Sequence, residues 1–454
     1  MHFRLPATLL PAALAGPAPA ESLPLTLDTI VVVPPLTDPV TLADTAAAEA
    51  ARTAARQIEV QAIQGEIDER VYAAYGFGPA ERATIAQFYA VPNSINDDEP
   101  PAEEEEEDDT AAPGSPDDVA FALWQWLLGA AFGRWDVRLA LNPTDLPAPA
   151  AAFEALPTAP PGALRHPTTG RLASTAAEVA APEAPYPVPV AWSGLLPLDP
   201  DHPQDVARRL RQLLATLRPA TAAALESESR ALLASSKSDL TGWLGEWLGR
   251  TGAGGFFDRH LLAYSRSKRE APLYWPLQAP GTNYVLWLYA PRLSRETLYA
   301  ALNDYVEPRR QRARDELRQF AELLSGPAPA NAKEARQQLQ HREDVAQLVA
   351  GLDQFVEHLT SVLDQPGFQP HPDDGAAISA CLLAELFGHR AWRRKLEQHR
   401  AKLRAGDYDW SHLALSLFPD RVRKKCRLDR SLAIAHGLEY LYKGPLADLG
   451  RAAG

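Results

Sequence analysis

The residues best equipped for chemistry in this chain are its arginines. Of 45 basic residues only eight are lysine, and a guanidinium donates in a planar fork that suits a phosphate or a guanine edge. Two segments concentrate them. Arg259, Arg266, Lys268 and Arg269 stand just before an aromatic stretch, and between Arg390 and Arg430 thirteen basic residues face only five acids. At helical spacing Arg393, Arg400 and Arg404 share one face. Arg134 and Arg138 follow an apolar helix further upstream. Phosphate contact is one reading of these groups; a solvated helix face with internal ion pairs is the other.

Other chemistries find little support. There is no GxxxxGK[ST] phosphate loop, no HExxH metal helix and no GxSxG nucleophile elbow. The glycines at 249, 252, 254 and 255 follow an amphipathic Trp/Leu helix and not a strand, so a flexible connector suits them better than a nucleotide turn. His389 and His399, or His412 and His436, have no close carboxylate pattern that suggests a metal. The most reactive-looking loop is His371-Pro-Asp373-Asp374-Gly375. Its adjacent acids could bind a divalent ion, but the same triplet makes a turn leading into a helix cap, and the turn is preferred. Two cysteines, Cys381 and Cys426, are too few for a disulfide framework or a four-cysteine zinc site.

The elements that would position these groups are mainly helices. A helical pattern runs from Ala46 through Ile63, Ile67 and Val71 to a stop at Gly76, and a short helix starts at Pro79. Asp117 and Asp118 cap an apolar helix through Trp124 and Trp126. A proline-rich traverse over 143–200 carries few regular elements. Helices resume at Asp205 and again over 221–249. Leu273-Tyr-Trp-Pro-Leu277 and Tyr284-Val-Leu-Trp-Leu-Tyr289, joined through Ala279-Pro-Gly-Thr282, predict a β-hairpin. Two long helices over 294–324 and 332–363 form a helical hairpin, the second with apolar residues at 345, 348, 349, 352, 355, 356, 359, 362 and 363. The tail, 376–442, is helical and turns basic. The fold class is therefore α+β, predominantly α-helical.

Five parts are expected: a proline-rich and helical start (1–91), an acidic disordered linker (92–118), an α+β region (119–291), the helical hairpin as a spacer (292–365) and the basic C-terminal region (366–454). The linker cannot bury apolar surface, and twelve acids between Pro92 and Gly133, with no Lys or Arg among them, account for nearly all of the net charge of −13. An acidic total does not argue against a nucleic-acid partner. No stretch is apolar for 18 residues, so no membrane span is expected. The first twenty residues resemble a secretory leader ending at Ala18-Pro-Ala20, but their prolines and the single Arg4 fit one badly; a cytoplasmic location is expected.

In order along the chain, a series of motifs resembles the C-terminal half of large adenine-specific DNA methyltransferases: the PglX-like enzymes of BREX phage-defence systems and related single-chain restriction–modification methylases. The series begins with Gln64-Gly-Glu66-Ile-Asp68-Glu-Arg-Val-Tyr72 and Phe132-Gly133-Arg134-Trp135-Asp136. Its strongest stretches are Gly255-Phe-Phe-Asp-Arg-His260 through Tyr264-Ser-Arg-Ser-Lys-Arg-Glu-Ala-Pro272-Leu-Tyr-Trp275. Asn303-Asp-Tyr305-Val-Glu-Pro308, Asp373-Asp-Gly375, Gly406-Asp-Tyr-Asp409-Trp410-Ser-His412 and Asp429-Arg-Ser-Leu-Ala-Ile-Ala-His436-Gly437 follow. His371-Pro372 departs from the Asn-Leu expected before the Asp-Asp-Gly, and the first sixty residues do not align.

The resemblance implies a part of such an enzyme. Family members transfer a methyl group from S-adenosylmethionine to N6 of a flipped adenine. The glycine-rich cofactor loop and the Asn/Asp-Pro-Pro-aromatic loop are both absent; Val33-Pro34-Pro35-Leu36 lacks the polar and aromatic ends. No catalytic, cofactor-binding or metal residue is therefore assigned, and S-adenosylmethionine belongs to a catalytic domain or subunit elsewhere. The expected partners are double-stranded DNA, that catalytic part and other phage-defence components. Arg134, Arg138, Arg266, Lys268, Arg269, Arg393, Arg400 and Arg404 are the expected DNA contacts. The alternative is a non-enzymatic helical subunit that binds protein in the defence complex.

Overall fold

The computed structural model describes residues 41–90, 115–142, 160, 162–166, 169–179, 186–234, 239–266, 269–324, 331–365 and 367–444. The leader-like start, Val33 to Leu36, most of the acidic linker and the segment 143–159 lie outside the described residues, as do Lys268 and the connection 325–330.

Helix α1 (Leu42–Tyr75) opens with a Thr41 capping box and ends at Gly76, and α2 (Pro79–Ala90) folds back beside its end, with Arg82 bonded to Glu69. Ser115, and not Asp117, caps α3 (Pro116–Ala131): its hydroxyl accepts from Asp118 N, and Asp118 answers from the third helical position. Short helices α4 (Val137–Leu141) and α5 (Ala176–Val179) lead to strand β1 (Leu195–Leu198). Then come α6 (Val206–Leu217), capped by Asp205, α7 (Ala222–Leu233), α8 (Trp243–Gly249) and α9 (Phe256–Ala263). A two-residue ladder, β2 (Ser265–Arg266) with β3 (Arg269–Glu270), precedes the hairpin of β4 (Tyr274–Gln278) and β5 (Val285–Tyr289).

The expected hairpin is present, and β1 completes it as an antiparallel sheet in the order β1-β5-β4, with Leu196 opposite Trp287 and Trp275 opposite Leu288. Each edge strand carries a proline, Pro197 and Pro276. A proline has no N–H to offer and is tolerated at an edge, where one side of the strand is unpaired. Every residue of β5 is buried, so both faces of the sheet are covered by helices. Trp124, Trp243, Trp275 and Trp287 are fully buried in this core.

The long hairpin forms from α10 (Arg295–Ala300), a wider turn over Ala301–Val306, α11 (Glu307–Leu324) and α12 (Ala332–Leu363). The wide turn falls just ahead of Pro308, where a proline would break the regular ladder. It aims Tyr305 at Gln204, 2.8 Å away. Of the predicted seam, Val345, Leu352, Phe355, Leu359, Val362 and Leu363 are buried. Gly351 lets α12 cross the β4–β5 turn: a Cβ there would stand 2.6 Å from the Pro280 carbonyl. The expected basic tail is a set of shorter helices: α13 (Ala376–Ala380), α14 (Arg390–Ala405), α15 (His412–Leu417), α16 (Pro419–Cys426) and α17 (Arg430–Ala435). The described residues are thus predominantly α-helical, with a small three-stranded sheet and the two-stranded β2–β3 ladder. Among the described residues no helix is long and apolar enough to cross a membrane.

His260 ties α9 to the start of β4. Its Nε2 accepts from Leu273 N at 3.0 Å and Tyr274 N at 3.1 Å, so Nδ1 carries the proton and donates to Gln125 Oε1 at 2.9 Å. The ring is fully buried, and burial together with the Arg134 guanidinium pushes its pKa down to about 3. The unfolded chain takes up this proton near 6.5 while the folded one refuses it. Stability is therefore full above about pH 6.5 and falls by ~1.4 kcal/mol per pH unit as pH drops towards 3. His260→Gln, which keeps a donor and an acceptor without the titration, should show a shallower loss. Denaturant midpoints at neutral and mildly acidic pH decide this; equal slopes in both proteins would contradict it.

Candidate nucleic-acid interface

Helix α14 follows from its apolar spacing. Trp392, Leu396 and Leu403 fall on one side and are buried, His389 caps the first turn at Trp392 N, and Gly406, at φ +98°, ends the helix in a conformation that favours glycine. Arg390 and Arg394 lie opposite the buried side and are exposed. Helix α16 does the same on a smaller scale: Val422 and Cys426 are buried, and Arg423, Lys424 and the following Arg427 are exposed.

The two helices are joined through a buried carboxylate. Arg421 Nη2 lies 2.6 Å from Asp409 Oδ1 and Lys425 Nζ 2.6 Å from Oδ2, while the Asp409 side chain is only 4% exposed. Burial pushes the Asp409 carboxyl up, but hydrogen bonds from Lys425 and Arg421 outweigh it and hold the pKa below the ordinary value. The same two cations also close the end of α14, Arg421 donating to the carbonyls of Leu403 and Arg404 and Lys425 to that of Gly406. Cations at a helix C-terminus satisfy orphan carbonyls and meet the negative end of the dipole. His436 Nε2, 2.7 Å from the Asp409 carbonyl, brings the end of α17 to the same point.

The expected contact residues divide by environment. Arg134 is turned inward, its guanidinium 4.4 Å from the Trp135 ring centroid and bonded to Tyr264 Oη at 2.7 Å. Arg138 lies against Tyr186 and forms a two-pronged pair with Asp136. Arg393 pairs with Glu397 and Arg400 with Glu385, so that side of α14 spends part of its charge internally. The bond from Arg400 is the main reason the Glu385 carboxyl sits below its ordinary pKa. Arg404 is exposed and has no ion-pair partner among the described residues. Arg266 and Arg269 stand opposite each other in the β2–β3 ladder; their side chains, like Lys268, lie outside the described residues.

Two of the basic segments are brought together. Lys395 Nζ lies 2.8 Å from Glu270 Oε1, so α14 packs beside the ladder that carries Arg266 and Arg269, although well over a hundred residues separate them in sequence. Of the thirteen basic residues from Arg390 to Arg430, five are in ion pairs: Arg393, Lys395, Arg400, Arg421 and Lys425. The other eight have no such partner among the described residues. Arg390, Arg394, Arg423, Lys424 and Arg427 are therefore better placed for an external anion than Arg393 and Arg400. Opposition to the apolar residues of their helix picks out Arg390, Arg394 and Lys424; Arg423 and Arg427 stand out by exposure.

The Asp-Asp-Gly loop does what a turn would do. Asp374 is buried and accepts from His412 N and Leu413 N, each at 2.8 Å, capping α15 from 38 residues away. Compared with known proteins, the chain matches no protein-family model and no curated protein.

Arg421→Ala should loosen the whole C-terminal layer. It leaves Asp409 buried with Lys425 alone and uncaps two carbonyls of α14, at an expected cost of about 2–4 kcal/mol. Amide exchange should quicken across 406–444 and stay unchanged in β4 and β5. Exchange unaltered in 406–444 would contradict this role.

Proposed function

We propose that this chain is the DNA-engaging C-terminal portion of an N6-adenine-specific DNA methyltransferase of a phage-defence or restriction system, acting with a catalytic part that supplies the S-adenosylmethionine site. The observation that carries the DNA reading is the juxtaposition of α14 with the Arg266–Arg269 ladder, together with cations on α14 and α16 that no carboxylate of the described residues neutralises. A rim of arginines on rigid helices suits the phosphate backbone, which sets position and register and not sequence. The methyltransferase assignment rests on the ordered motif series. The cytoplasmic location goes with it.

In this reading, log affinity for a short duplex falls steeply with log salt, because each neutralised phosphate releases counterions. Reversing Arg423, Lys424 and Arg427 together to Glu should reduce that slope by about 2–3. Reversal at Arg266 and Arg269 should flatten it as well. An affinity indifferent to salt sinks the proposal.

A second reading is favoured by a different feature. Val60, Ile63, Ile67, Val71 and Tyr75 are all exposed along one side of α1. An apolar row of this kind on a projecting helix suits a protein partner. Salt-insensitive binding to a defence component, abolished by Ile63→Glu with Ile67→Glu, would favour the interaction subunit.

A further inference from the structure

His371, Asp373 and His412 meet where the loop after α12 touches the start of α15. One potential ligand atom from each lies within 4.8 Å of the other two. The two imidazoles stack, with centroids 3.9 Å apart and planes 21° apart. Asp373 Oδ2 is 3.6 Å from His371 Nδ1, and the Asp373 side chain is 77% exposed, so the cluster opens to solvent.

Below this cluster the buried Asp374 carboxylate accepts three bonds. Two come from the backbone N–H groups of His412 and Leu413, and the third joins its Oδ1 to His412 Nδ1 at 3.0 Å. An ionised carboxylate accepts only, so Nδ1 carries the proton and His412 Nε2 keeps its lone pair. A carboxylate that orients an imidazole and raises its basicity in this way is the usual support behind a metal-binding histidine. The His371 ring is poised less firmly: its Nδ1 accepts from Asp373 N at 3.3 Å, a long bond that a small ring rotation releases.

The geometry points to a binding site for one borderline divalent cation, of the zinc, cobalt or nickel class, held by His371, His412 and Asp373, with Asp374 as the positioning residue. Two imidazole nitrogens and one carboxylate oxygen suit such ions better than magnesium or calcium, which prefer all-oxygen sets. Donors about 2.1 Å from an ion stand roughly 3.4 Å apart in a tetrahedral set. In the stack the in-plane lone pairs of the two rings run nearly parallel, so the His371 ring turns out of the stack and the exposed Asp373 side chain swings in for all three donors to meet one ion. Three protein ligands leave at least one position to water. A bound ion would clasp the loop that ends the spacer hairpin to α15, and so to the basic layer.

The full-length chain, stripped with a chelator and titrated with Co(II), should bind one equivalent and develop visible absorption that Zn(II) displaces. Asp373→Ala and His371→Ala alter exposed or half-exposed residues, and each should weaken the ion at least tenfold. His341→Ala, on the distant hairpin surface, should leave binding unchanged. Zn(II) should raise the thermal midpoint of the unaltered chain and not that of Asp373→Ala. Absence of stoichiometric binding overturns the site, as does binding that survives both the His371 and the Asp373 substitutions.

Discussion

Strand β5 is hydrogen-bonded along both edges and buried on both faces, and the rest of the molecule is arranged around that demand. A strand in this position must be apolar throughout, which Val285-Leu-Trp-Leu-Tyr289 is. Its neighbours must then satisfy every backbone group that water cannot reach. The antiparallel partners β1 and β4 do so on either side. Where β4 begins, the N–H groups of Leu273 and Tyr274 are met by the neutral imidazole of His260. That one side chain also holds Gln125 of α3, so a helix, a strand and a second helix are registered through a single buried ring.

From this core the chain builds outward to a basic layer whose charges are sorted by use. Arg421 and Lys425 are spent on Asp409 and on the open end of α14, Arg400 on Glu385, and Lys395 on Glu270. These pairs fix where α14 and α16 sit. What remains on their outer sides is positive and unpaired among the described residues. Charge that stabilises the layer and charge available to a ligand are thus different residues of the same helices, and sequence counting alone does not separate them.

Much of the architecture was readable beforehand, for physical reasons that differ by element. The hairpin of β4 and β5 announces itself by aromatic and β-branched runs around a Pro-Gly turn, and the seam of α12 by its 3.6-residue spacing. Strand β1 was hidden: Leu195-Leu-Pro-Leu198 is four residues long, carries a proline and sits in a proline-rich stretch. Its strand character comes wholly from pairing with β5. The roles of Arg134 and Arg138 were equally hidden, because Tyr264 and Asp136 take up their guanidinium groups only in the folded chain. The carboxylates near His412 in sequence form no pattern that suggests a metal, and its partner Asp374 arrives from 38 residues upstream.

The most direct test of the central claim, that the outer cations of α14 and α16 with the neighbouring ladder engage DNA, is hydrogen exchange with and without a short duplex at low salt. Slower exchange is expected at 264–270 and across 390–430, reversed by added salt, with α1 unaffected. Exchange unchanged in those segments, or protection confined to α1, would contradict it.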